Sequence, residues 1–369
     1  MDRPTVFFAY RDAPERRAAL RVPPGGLERY RLFGLDQVTS RAAGVHHNLE
    51  DAGPPAWARA LAKSINTALL GLGGYGGDFA TVLASLQRIN RAEVVFSTVD
   101  TVGIPLMLLK RAGLVRPPLV YVSIGLPERL AQLRGKRMRR LYAHALRGTQ
   151  TIVAYAKSEV EQLSEWLGAD APMIDFVPFG VDVEAFRPVP ELAPDTDVVT
   201  VGVDPRRDFA LLLQIAARRP ELSFRIVAST EHARALHEVP DNVAVETDIP
   251  LEQVRDRLAR ARVVALPVRD NSYSGATTVL LQAMAMAKPV VVSRTAAISE
   301  GYDLEDGVNC RLVPPGDSDA FEQALVEQQT GAGATSSIGT RARQTVECGF
   351  TWERYTDALW EILRGAAGR

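Results

Sequence analysis

Residues Asn271–Asp317 read NSYSGATTVLLQAMAMAKPVVVSRTAAISEGYDLEDGVNCRLVPPGD, and the order of elements in this stretch decides the fold. A loop rich in Ser, Gly and Thr (Ser272 to Thr278) leads into an apolar helical run (Val279 to Ala287), and a β-branched run (Pro289 to Ser293) follows at once. Loop, helix N-terminus and buried strand in this succession belong to an open parallel α/β sheet. The first N–H groups of such a helix lack intrahelical partners. Gly275 lets the backbone approach, and the hydroxyls of Ser274, Thr277 and Thr278 stand beside those N–H groups, so the loop suits a phosphate or diphosphate. Ser and Thr are also the preferred caps of ordinary helices, so the loop taken alone reads as a plain N-cap. Its surroundings turn the reading toward a ligand.

Outward from this stretch, short β-branched runs alternate with helical patterns. The first half offers Thr5 to Tyr10, Glu93 to Ser97, Leu119 to Ser123, Thr151 to Ala154 and Ile174 to Val177 as strands. The second offers Val198 to Val203, Ser223 to Ala228, Val243 to Glu246, Val263 to Pro267 and Pro289 to Ser293. Between the halves, Glu184 to Asp197 is rich in Pro and acids and lacks periodicity, as a linker does. The predicted fold is α/β, with two Rossmann-like doubly wound domains facing a cleft. Residues 1–183 form the first domain, 184–197 the linker and 198–349 the second domain, and 350–369 form a final helix. In such sheets ligands sit beyond the carboxyl ends of the strands. Arg206 and Arg207, in the run Asp204-Pro205-Arg206-Arg207-Asp208 after one of these strands, taken alone read as two surface arginines next to acids, although a planar guanidinium there can grip two phosphate oxygens at once.

The chain is 46% hydrophobic over 369 residues, enough for two cores, and 43 Lys and Arg against 44 Asp and Glu leave no field that favours nucleic acid. Cys310 and Cys348 form neither a disulfide framework nor a metal spacing, and read as reduced thiols of a cytoplasmic protein. No apolar run reaches the ~18 residues of a membrane span, and no leader is visible, so any membrane contact would be peripheral.

Four pieces resemble the family-4 retaining glycosyltransferases: LLQAMAMAKPVVVS (Leu280–Ser293), DGVNCRLVPPGD (Asp306–Asp317), VPFGVDVEAFRP (Val177–Pro188) and the Gly-Gly-x-Glu loop Gly25–Glu28. They stand in the order and spacing of that family, whose two-domain fold is termed GT-B. The resemblance implies a transferase that takes a sugar from a nucleotide-sugar, by default a UDP-sugar, and passes it to an acceptor the sequence does not name. It implies front-face transfer with retention, no metal and no cofactor beyond the nucleotide-sugar itself. It places the donor diphosphate against Arg207 with Arg206 beside it, against Ser274, Gly275, Thr277 and Thr278, and against the flexible loop of Gly25 and Gly26. The turn carrying Ile249 and Leu251 falls where the family contacts the base. The final helix is implied to cross back to the first domain.

The chain departs from that family at two acidic positions, where Ser274 and Gln282 stand in place of glutamates. Gln282 keeps an acceptor and two donors for ribose hydroxyls, whereas Ser274 is shorter and uncharged. A histidine common after the strand matching Leu119 to Ser123 is absent from Val122-Ser123-Ile124-Gly125-Leu126, so no side chain is named as acid or base. A nucleotide-sugar epimerase of the same fold, or a binding and activator protein descended from a transferase, are the alternatives.

Three further features invite a reading. Gly71–Gly76 matches the dinucleotide pattern but follows a helical stretch (Ala58 to Leu70) instead of a strand, so it reads as a joining loop. His46 and His47 diverge on any regular element and read as part of a surface loop. The segment Arg129 to Arg147, interrupted at Gly135, reads as a basic amphipathic helix. Its Arg134–Arg147 face suits anionic lipid or a phosphate-bearing acceptor, while a solvated face with inward leucines is the simpler account.

Overall fold

Buried β-branched and aromatic runs form the centre of each half. In the computed structural model, which describes residues 3–50, 52–271, 273–330 and 334–368, six parallel strands make the first sheet: β1 (Thr5–Ala9), β2 (Gly44–His47), β3 (Val94–Ser97), β4 (Leu119–Ser123), β5 (Thr151–Ala154) and β6 (Met173–Phe176), in the order β2-β1-β3-β4-β5-β6. A second sheet contains β7 (Thr196–Val201), β8 (Phe224–Ala228), β9 (Val243–Thr247), β10 (Ala261–Leu266), β11 (Val290–Ser293) and β12 (Arg311–Val313), ordered β12-β11-β10-β7-β8-β9. Central strands such as β3, β4 and β11 are buried along their whole length, the pattern of a parallel sheet covered on both faces by helices. The chain divides into two units, Met1–Val177 with Thr356–Arg369, and Pro178–Tyr355. These are the two Rossmann-like units of the GT-B fold. Among the described residues, no helix is long and apolar enough to cross a membrane.

The structure corrects several expectations. The stretch Glu184 to Asp197 is no free linker. The division falls after Val177, and the segment that follows is sewn to the second unit. There Val181 N–H donates to Phe350 O at 2.9 Å, Asp195 N–H to Arg260 O at 3.0 Å, and Arg255 Nη1 to Ala185 O at 3.4 Å. Local composition could not reveal these distant carbonyl partners.

The last helix, Trp352–Ala367, joins the first unit from Thr356 onward, where Arg41 pairs with Asp357 at 2.6 Å. His46 and His47 lie on β2, not in a loop. They pair with Phe7 and Phe8 of β1, and an edge strand tolerates such polar residues. The three-residue β12 is a second edge strand, too short to stand out as a β-branched run. The Gly-Gly-x-Glu loop leads into a 3-10 turn, Leu27–Leu32, followed by a helix at Leu35–Arg41.

Gly25 takes φ +82 in a turn closed by Gly26 N–H to Pro23 O at 3.0 Å. Pro24 precedes it, as position i+1 of a type II turn prefers. Gly26 is extended (φ −68), and a Cβ there would press on Val22 and stand 3.1 Å from Pro23 O. Pro23–Gly26 is thus a tight turn whose shape depends on both glycines. Gly71–Gly76 joins helices Ala56–Gly71 and Phe79–Ile89 as expected.

Candidate functional site

The strand order of the second sheet reverses between β7 and β10, and a crevice for ligands opens beyond the carboxyl ends of the strands at such a point. The loops leaving these two strands are stitched together. Arg207 and Val268 form an antiparallel bridge, Arg269 N–H donates to Arg206 O at 2.8 Å, and Asp208 N–H donates to Pro267 O at 2.9 Å. Asp204 joins them a second time, because its Oδ1 accepts both Arg206 N–H and the Tyr273 hydroxyl at 2.7 Å. The sequence quoted Asp204 and Tyr273 only as neighbours of other candidates, and a pairing across 69 residues of chain leaves no local signal.

The two arginines differ in environment. Arg206 is half-buried, whereas Arg207 is only 4% exposed and lies across Gly202, where an added Cβ would stand 2.8 Å from the guanidinium carbon. Arg207 Nε and Nη1 have no hydrogen-bond partner among the described residues. Burial pulls the guanidinium down to about 10, with Asp204 and Tyr273 opposing the shift, so it remains a cation at neutral pH. A buried cation with unsatisfied donors is costly to the folded state, and an arriving anion would offset that cost.

Across the stitched loops, the quoted helix begins at Thr277 and ends at Ala285, and Ala276 at its head provides no side-chain cap. Thr277 N–H donates to Ser274 O at 3.4 Å and Leu280 N–H to Ala276 O at 3.0 Å, which leaves the N–H groups of Thr278 and Val279 for solvent or a ligand. Thr277 is 2% exposed, and its hydroxyl is buried without a partner among the described residues. Ser274, Gly275 and Thr278 are half-buried in the same segment, and Ser272 lies outside the described residues. Gln282, one and a half turns along, is 2% exposed.

Ile249 and Leu251 follow β9 in a turn where Asp248 takes φ +50 and accepts Thr230 N–H at 3.1 Å. With β8 between β9 and β7, these two are set apart from the stitched loops. Gly25 and Gly26 belong to the first unit.

Gly275 gives a direct test of the stitching. A Cβ there would drive into the Asp204 carboxylate, 2.9 Å from its Cγ, while Tyr273 and Arg206 hold that carboxylate in place. Gly275→Ala should therefore push the two loops apart and weaken nucleotide binding about ten-fold, since small misplacements of binding groups are expensive. Calorimetry giving wild-type affinity for Gly275→Ala would show that the loop geometry does not set binding.

The first unit holds titratable groups that the sequence did not single out. Asp100 opens the helix after β3. It accepts the Tyr121 hydroxyl at 2.8 Å and Ile124 N–H at 3.3 Å, with Arg129 Nε 3.4 Å away. Glu159 is fully buried. Its Oε1 accepts the Ser123 hydroxyl at 2.9 Å and Gly125 N–H at 2.8 Å, while Oε2 has no partner among the described residues. Burial raises each carboxyl to about 8, and for Glu159 the neighbouring Asp100 adds to the shift. The turn Val122–Leu126, where a histidine was missing from the expected pattern, is thus gripped by two carboxyl groups.

Residues 197–329 match the family described as Glycosyl transferases group 1. Among curated relatives, the D-inositol 3-phosphate glycosyltransferase of Mycobacterium marinum is 27% identical over 239 residues, covering 59% of this chain and 50% of that protein. The GDP-mannose-dependent monoacylated alpha-(1-6)-phosphatidylinositol monomannoside mannosyltransferase of Corynebacterium glutamicum is 25% identical over 218 residues, covering 52% of this chain and 56% of that one. The chain spans about half the length of the curated relatives it matches. Among solved structures, sucrose-phosphate synthase from Thermosynechococcus elongatus superposes with TM-score 0.73 at 16% identity, over 98% of this chain and 99% of that one. The Anabaena protein HepE in complex with UDP and glucose gives TM-score 0.73 at 17% identity, over 98% and 100%. At these identities the likeness establishes the fold.

Proposed function

We propose that this chain, whose second unit carries the group 1 glycosyltransferase domain, transfers a sugar from a nucleotide-sugar to an acceptor with retention of configuration. The observation that carries the reading is Arg207, a cation 4% exposed with two unspent donors, at the switch point beside an uncapped helix. Such a place fits the diphosphate of a donor. UDP-sugar is the first donor to test, while the names of similar proteins include both a UDP complex and a GDP-mannose enzyme.

In this scheme the bond between the sugar C1 and the diphosphate oxygen breaks as the acceptor oxygen bonds to C1 on the same face. The acceptor proton passes to the leaving phosphate oxygen. Arg207, with Arg206 beside it, the Thr277 hydroxyl and the Thr278 N–H stabilise the charge growing on the leaving group. Ser274 and Gln282 are assigned to the donor sugar and ribose. The charge is neutralised by the protein's own groups, and the scheme calls for no metal or further cofactor. The acceptor is a glycan, a lipid-linked sugar or a small hydroxyl compound, and the cytoplasm is the proposed compartment.

A panel of UDP-, GDP- and dTDP-sugars tests the proposal by thermal shift, followed by nucleotide release with and without acceptors. The proposal requires both stabilisation by one donor and acceptor-dependent release of its nucleotide. Stabilisation without turnover would point to a binding protein. A changed sugar with no nucleotide released would point to an epimerase.

A further inference from the structure

One flank of the first unit collects positive charge well beyond what the fold requires. Arg137, Arg140, His144 and Arg147 recur at helical spacing along the outer face of helix Gly135–Arg147, while Met138, Tyr142, Ala145 and Leu146 of the same helix face the core. Arg111, at the end of helix Asp100–Arg111, and Arg116, in the loop before β4, continue the stripe. Together they line two adjoining open concavities, the larger about 840 Å³, and no carboxylate lines either one. Arg111, Arg116, Arg137 and Arg140 are exposed, and their side chains form no ion pair with any described residue.

The chain as a whole has net charge −1, so these cations are segregated and do not reflect a basic composition. Favourable placement at a helix C-terminus accounts for Arg111 and Arg147. It does not account for Arg137, Arg140 or Arg116. Leu114, 48% exposed, stands in the loop between Arg111 and Arg116, flanked by Gly113 and Val115, which line the smaller concavity.

We propose that this flank docks on a bilayer surface rich in anionic phospholipid, with the arginines meeting headgroup phosphates and Leu114 entering the acyl boundary. A soluble polyanion would use the cations but has no use for an exposed leucine among them. A lipid interface uses both. The inference goes beyond the transferase reading, because it concerns the first unit alone and requires no donor.

The test is co-sedimentation with phosphatidylcholine vesicles, with and without about a third phosphatidylglycerol, in the absence of nucleotide. Binding is expected only to the anionic vesicles, and should vanish at about 1 M salt, where the screening length falls to about 3 Å. The combined variant Arg111→Gln, Arg137→Gln, Arg140→Gln removes three exposed side chains with no recorded hydrogen bond. It should bind about 100-fold more weakly with an unchanged melting temperature, since each basic residue near the surface contributes comparably. Leu114→Ser should lose several-fold on vesicles while leaving the binding of inorganic polyphosphate unaltered. Three results would each overturn the proposal: equal binding to neutral vesicles, no binding to anionic ones, or Leu114→Ser matching the wild type on vesicles while polyphosphate binds tightly. The last of these would assign the flank to a soluble polyanion.

Discussion

Arg207→Met should bind UDP about ten- to a hundred-fold more weakly than the wild type, and should melt at the same temperature or higher. The two effects have opposite signs because they come from different states of one site. Without ligand, the guanidinium is a buried cation whose Nε and Nη1 have no partner among the described residues, a burden that methionine removes at similar volume. With a diphosphate present, those same donors form charge-assisted bonds worth about 1.5–3 kcal/mol, and methionine forfeits them. Arg207→Lys should fall between, because an ammonium keeps the charge but lacks the planar fork. Calorimetry and thermal melts on the same preparations decide the matter. Wild-type affinity in a folded Arg207→Met protein would remove this residue from the site. A melting point several degrees lower would make it a structural arginine whose service is to the loop over Gly202.

How far the sequence carries this argument depends on whether the chemistry is local. The central strands were legible because complete burial demands unbroken apolar runs, as at Leu119–Ser123 and Val290–Ser293. The edge strands β2 and β12 were not, since a strand of three or four residues at an edge can be polar. The loops proposed to hold the diphosphate were visible because they directly follow strands and carry Arg, Ser and Thr in short runs. What the sequence could not distinguish was Arg206 from Arg207: their difference in burial comes from the bridge to Val268 on another strand's loop. Nor could it pair Glu159 with Ser123, 36 residues earlier, because that contact arises only when β4 meets the helix Lys157–Leu167. Glu184 to Asp197 looked like a linker because its hydrogen bonds, from Asp195 N–H to Arg260 O and from Arg255 to Ala185 O, run to partners far along the chain.

The Glu159 contact leads to an expectation about pH. The melting temperature of the first unit should fall as pH rises from about 5 to about 8, and Glu159→Gln should lessen that fall. An acid whose pKa is higher in the folded state than in the unfolded chain is ionised first by unfolding. Below the ordinary value of 4.5 both states hold the proton, and Glu159 makes no difference to stability. Between 4.5 and about 8 the unfolded chain releases the proton while burial keeps it on the folded protein, so the folded state loses stability with each step in pH. Above about 8 the loss is complete.

Asp100, raised by burial from 3.8 to about 8, adds a fall of its own over the same range, so Glu159→Gln should remove only part of the slope. Glutamine can keep the Oε1 bonds from Ser123 and Gly125 while carrying no charge. Its variant should therefore match the wild type near pH 5 and melt several degrees higher at pH 8, where about 1.4 kcal/mol accrues for each pH unit crossed. Scanning calorimetry across this range can follow the first unit's transition. A wild-type profile that is flat or rises with pH, or a Glu159→Gln profile that tracks it, would show that the carboxyl is ionised within the fold. The turn at Val122–Leu126 would then be held by a buried anion, and Oε2 would need a partner in solution.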